Sequence, residues 1–115
     1  MTSLNEEIAK SRVHIIVQII EYVPNAIVSK TIIKKSTGNI TVMSFDSGEE
    51  LAEKISPFDT FAQVIDGSAE IIINKKVHLV QLGEGMIIPA HAPNRLKANQ
   101  RFKVLLTTIK SGYEE

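Results

Sequence analysis

Residues 83–98 read GEGMIIPAHAPNRLKA. Two glycines, two prolines and one histidine fall within a dozen positions. The stretch reads as a short strand, a turn bounded by Pro89 and Pro93, and a second strand beginning near Arg95. A loop of this kind is either the rim of a metal site or a turn without one, and His91 at its centre poses that choice.

The same rhythm extends to either side. SAEIIIN (68–74) meets KKVHLVQL (75–82) across Asn74-Lys75, where Asn can take the positive φ of a tight hairpin. TFAQVID (60–66) ends at Gly67, and ELAEKIS (50–56) runs to Pro57. AIVSKTIIKK and ITVMSFD are separated by the turn cluster STGN, and RFKVLLTTIK closes the series. About eight to ten short strands with turns every 6 to 12 residues indicate an all-β sandwich or barrel. Residues 13–23, VHIIVQIIEYV, fit a helical face and a strand equally well. The expectation is a strand or extended arm with a short helical turn near 17–21, ended by Pro24-Asn25. Long amphipathic helices, internal repeats and domain linkers are absent. The chain therefore divides into an arm, 1–23, and one barrel, 24–110.

Composition narrows the functions. The 115 residues carry 13 basic and 13 acidic side chains and no cysteine. A neutral balance without a basic stripe argues against nucleic acid. The pairs Lys34-Lys35 and Lys75-Lys76 read as solvated turn residues. Without cysteine there are no thiolate metal sites, disulfides or thiol nucleophiles. No run reaches the roughly 18 apolar residues of a membrane span, and no secretory signal is visible. A cytoplasmic location is the expectation. There is no phosphate-binding glycine loop and no serine in a nucleophile elbow.

Two segments, GEELAEKISPFDTFAQVIDG (48–67) and GEGMIIPAHAPN (83–94), resemble the two motifs of small single-domain cupins. Gly48, Gly67, Gly83 and Pro89 fall at that family's glycine and proline positions. The resemblance implies a jelly-roll β-barrel. It also implies where metal ligands would stand: Lys54, Ser56 and Thr60 in the first segment and Asn94 in the second. An ammonium repels a cation, and neutral hydroxyl and amide oxygens hold transition metals weakly. No metal cofactor is therefore expected.

The reading favoured here is a barrel that binds a small molecule without metal, an anion such as a carboxylate or phosphate being a plausible guest. Lys54 supplies charge and Asn94 both a donor and an acceptor; Asp59, Gln63, Met86 and His91 are the further candidate contacts. Two alternatives stand beside it. One is a metal-dependent enzyme, of dioxygenase or isomerase type, whose ligands would come from His14, His78, His91, Asp59 and the acidic residues 49, 50 and 53. The other is a structural dimer with a vestigial pocket. A homodimer is expected in either case, with the isoleucine-rich arm as a segment that could swap onto a neighbour.

Overall fold

The computed structural model describes residues 2–4 and 6–113. Within them the chain forms eight strands: β1 (Thr2–Leu4), β2 (Ile27–Lys35), β3 (Gly38–Phe45), β4 (Asp59–Ile73), β5 (Lys76–Gln81), β6 (Gly85–Ile88), β7 (Asn94–Lys97) and β8 (Phe102–Ile109). The larger sheet runs β1-β2-β3-β8-β4, with β6 on the far side of the first half of β4. The smaller sheet is built on the second half of β4, between β5 and β7. Among the described residues only the β1–β2 pairing is parallel. The β4–β5 hairpin turns through Asn74 and Lys75 at φ 50° and 66°, the two left-handed residues that a tight hairpin turn requires.

TFAQVID and SAEIIIN, read from sequence as two strands, are one strand of 15 residues. A bulge between Val64 and Asp66 and the left-handed Gly67, φ 69°, bend it from one sheet into the other. A bulge sharpens local twist, so a single strand can cross a barrel corner. A Cβ on Gly67 would lie 2.0 Å from the Arg101 carbonyl oxygen, so no other residue fits there unshifted. ELAEKIS is not a strand either. Its backbone pairs with β7 at two isolated bridges, Glu50–Lys97 and Lys54–Asn94.

Alternation along the strands separates the two faces of the larger sheet. On β8, Phe102, Val104, Leu106 and Thr108 point into the barrel, and Lys103, Leu105, Thr107 and Ile109 point out. The interior is apolar and continuous, with Phe45 and Phe102 stacked at 4.4 Å. Outside, the arm packs across the sheet.

That arm is neither strand nor helix over 13–23, apart from one 3-10 turn at Ile16–Gln18. Ile20, 2% exposed, sits on Val28 and Val42, flanked by Ile19, Ile65 and Leu105. Polar groups fix it from both sides. Lys103 Nζ donates to the Val17 carbonyl at 2.7 Å, and Ser44 Oγ donates to the Glu21 carbonyl at 2.8 Å. Tyr22 Oη donates to Asp66 Oδ2 at 2.6 Å. The arm thus lies on its own barrel. Its exposed apolar residues are Val13, Ile15 and Val23.

Candidate binding site in the barrel

At one end of the barrel the inner faces leave a cavity of about 90 Å³. Its polar lining is Lys54, Ser56, Thr60, Asn94 and Thr108. The four positions that the resemblance marks for metal ligands converge on one space, because strand pairing holds them there. Lys54 and Asn94 form a two-way backbone bridge, N–H to carbonyl at 2.9 Å in each direction. Thr60 lies opposite Thr108 in the β4–β8 register. Phe58, Ile88, Leu96 and Leu106 supply the apolar walls.

The hydrogen bonds already made define what the site still offers. Thr60 and Thr108 share one proton between hydroxyls 2.9 Å apart, which leaves one hydroxyl proton of the pair unspent. Ser56 Oγ accepts from the Phe58 N–H at 3.2 Å, and its own proton goes to no described group. Asn94 is 4% exposed; its Nδ2 donates to the Ala92 carbonyl at 2.9 Å and, at 3.4 Å, to that of Lys54. Its Oδ1 accepts no hydrogen bond from the described residues. Lys54 is exposed and forms no ion pair among the described residues. A second cation stands near: Lys110 Nζ is 5.9 Å from the centre of the Phe58 ring. The lining therefore presents positive charge, two free hydroxyl protons and one free acceptor.

The other candidates fall elsewhere. Gln63 occupies the outer face of the sheet, opposite Leu105, since Thr60, Ala62 and Val64 take the inward positions. Met86 pairs with Ala62 and points inward, but into the packed core rather than the cavity. Asp59 is exposed and braces the chain: its Oδ1 accepts from the Ala90 N–H at 2.8 Å and its N–H donates to Tyr113 Oη at 2.7 Å. His91 is exposed in left-handed backbone, φ 67°, with its N–H on the Ser56 carbonyl. Of the polar lining residues, Thr108 is the one not singled out in the sequence. The inward alternation of Phe102, Val104 and Leu106 points to it.

These residues do not suit a transition metal. The donor set is one ammonium, hydroxyls and one amide, where imidazole or carboxylate is needed. Among the described residues no three of His, Asp and Glu converge. His14 binds the Ala9 carbonyl in the arm, His78 is half-buried on β5, and Glu50 pairs with Arg95 at 3.0 Å. A groove of about 720 Å³ lies on the outside of the smaller sheet beside that ion pair. It is larger than the barrel cavity, but its charges are already balanced and none of the converging positions reaches it.

Two groups depart from their ordinary ionisation, both around the arm. Hydrogen bonds from Arg101 and from the Asn25 N–H hold the Asp46 carboxyl down at about 2, against an ordinary 3.8. Burial, and then the hydrogen bond to Asp66, push the Tyr22 phenol well above its usual range.

No family model matches the sequence, and no curated protein matches it. Solved structures do. A conserved protein of unknown function from Streptococcus pyogenes is similar over 97% of both chains, at 28% identity and a TM-score of 0.87. A cupin 2 conserved barrel domain protein from Leptotrichia buccalis shares 33% identity over 82% of this chain, which spans 46% of that longer one, at a TM-score of 0.80. A cupin superfamily protein from Desulfitobacterium hafniense is similar in fold over 92% of this chain, at 23% identity and a TM-score of 0.85.

Proposed function

The chain is a small cupin-superfamily domain, and we propose that it binds a small oxyanion, a short carboxylate above all, inside the barrel without a metal. One observation carries this reading: the positions that would hold a metal converge on a single cavity and bear an unpaired ammonium and spare hydroxyl donors instead. Hydrogen bonds to a charged group are about twice as strong as neutral ones. The same donors that repel a cation therefore favour an anion.

Size limits the guest. A cavity of about 90 Å³ is small beside the roughly 150 Å³ that holds a benzene ring, which favours a carboxylate with a few further atoms over an aromatic acid. The free Asn94 oxygen adds a preference for a guest that carries a hydroxyl or amine beside its anionic group. Short hydroxy- and amino-carboxylates combine both features.

Titration calorimetry with acetate, a short 2-hydroxycarboxylate and inorganic phosphate, each against its neutral amide or alcohol counterpart, tests this. The expected result is one site that takes the anions and rejects the neutral counterparts. Lys54→Met should weaken anion binding about tenfold, the effect of losing one partly exposed charge-assisted hydrogen bond. Equal binding of the neutral counterparts overturns the reading. So does stoichiometric iron, manganese or nickel in protein purified without chelator.

A further inference from the structure

Between the Lys54–Asn94 bridge and the start of β4 the chain belongs to no strand, yet it alternates like one. Lys54, Ser56, Phe58 and Thr60, every second residue, all line the barrel cavity. Ile55, Pro57 and Asp59 between them are exposed, Ile55 to 64%. This rim is tied to the 89–93 turn: the His91 N–H donates to the Ser56 carbonyl at 2.7 Å, and the Ala90 N–H donates to Asp59 Oδ1 at 2.8 Å. Both bonds place the ends of the rim, and neither reaches the ring of Phe58.

That ring is the one aromatic group in the cavity lining, and another segment holds it. Tyr113 packs against it, with ring centroids 5.7 Å apart and planes tilted by 57°, inside the roughly 4.5–7 Å over which aromatic pairs attract. Lys110 Nζ stands over its face, 5.9 Å from the centre, within cation–π reach. Tyr113 is itself fixed, because its Oη accepts the Asp59 N–H at 2.7 Å. Beyond β8 the Lys110 N–H donates to the Thr37 carbonyl at 2.8 Å, and Gly112, left-handed at φ 91°, turns the chain toward the rim. The Phe58 ring therefore meets the cavity and the Lys110–Tyr113 segment at once.

We infer that Phe58 sets the size ceiling of the cavity and that Tyr113 is the residue that positions it, so that the barrel admits short guests and turns aromatic ones away. The charge of the guest rests on the oxyanion reading; its size rests on these two rings. The other apolar walls, Ile88, Leu96 and Leu106, stand on paired strands, and a close-packed interior resists their displacement. Phe58 precedes the ladder of β4 and has no such support. Removing its ring leaves space for a ring beside three aliphatic side chains, and an apolar cavity of about 150 Å³ is enough to hold benzene.

Titration of the full chain with acetate, benzoate and benzene, followed by the amide NMR shifts of Thr60, Asn94 and Thr108, is the test. Benzene carries no charge, so it reports size apart from the oxyanion reading. The parent should admit acetate and exclude both aromatics. Phe58→Ala should take benzene and raise the ratio of benzoate to acetate affinity about tenfold. Tyr113→Ala leaves the Phe58 ring in place but unheld, and should raise that ratio about threefold. A tyrosine that only stabilised the fold would lower Tm and leave the ratio unchanged. Tyr113 is 40% exposed, so its variant decides alone if Phe58→Ala fails to fold. Should acetate not bind the parent while benzene enters the variants only, the oxyanion reading falls and the size ceiling stands. Benzene inside the parent, or a Phe58→Ala barrel still closed to it, overturns the inference. So does a Tyr113→Ala protein that treats both aromatics as the parent does.

Discussion

Gly67 and Gly48 both hold left-handed backbone, at φ 69° and 88°, yet they answer to different constraints. At Gly48 an added Cβ meets nothing within 4 Å. Gly48→Ala then costs only the conformational penalty, about 1 kcal/mol. At Gly67 the Cβ would enter the Arg101 carbonyl, and backbone cannot step aside as a side chain can. Gly67→Ala should therefore cost on the order of 3 kcal/mol or prevent folding. Urea unfolding of the two variants compares them directly, and equal losses would mean that the corner is not pinned by this contact. The resemblance to the two cupin motifs, aligned on such glycines, placed Lys54, Ser56, Thr60 and Asn94 at the family's metal-ligand positions, and all four line the cavity. Gln63 escaped that alignment because facing changes with every residue, and parity from Thr60 places it outside. His91 was legible as a turn residue. That its backbone is left-handed follows from the bond to Ser56 across the loop, which no local pattern encodes.

The arm is the element least legible in the sequence. VHIIVQIIEYV has the composition of a strand and the spacing of a helix, and it forms an extended arm with one short 3-10 turn, Ile16–Gln18, beside the turn expected near 17–21. What orders it is tertiary: an apolar seat on Val28 and Val42, and the chain Asp46–Arg101–Tyr22–Asp66 at its end. Arg101 joins Asp46 at 2.8 Å and lies 5.2 Å from the centre of the Tyr22 ring. Strand β4 is the converse case. Its residues declared β structure plainly, but a bulge that joins two strands into one depends on the partner strand and so stays hidden. The depressed ionisation of Asp46 gives the arm an acid sensitivity. A carboxyl whose folded value lies below its unfolded one binds fewer protons when folded, so its contribution is complete above the unfolded value near 3.8 and is lost as pH falls toward 2. Asp46→Asn should flatten stability against pH within that window and leave it unchanged in slope above it. Tyr22 fluorescence and thermal unfolding between those limits measure it. A variant that loses stability with acid as steeply as the parent would show that other carboxyls set the acid limb.

At the scale of the whole molecule, the barrel couples its stability to whatever enters it. The cavity is walled by strands of both sheets: Thr60 and Thr108 from the larger, Asn94 and Leu96 from the smaller. Unfolding either sheet destroys the site, so a guest binds the folded state alone. Such a guest stabilises the fold by RT ln(1 + [L]/Kd), about 2.7 kcal/mol at a hundredfold excess over Kd. For a domain near this length that raises Tm by roughly 11 °C. The cavity size makes the effect selective. Acetate or a short 2-hydroxycarboxylate should raise Tm in proportion to the logarithm of its concentration. Benzoate, with the same charge and a ring that needs a cavity of roughly 150 Å³, should not. A general salt effect acts on both alike, so the difference between the two acids is the readout. Lys54→Met should reduce the shift from the short acids and leave the Tm of the unliganded barrel nearly unchanged, because Lys54 is exposed and unpaired in the fold. Equal shifts from benzoate and acetate would place the anion on the surface instead of inside the barrel.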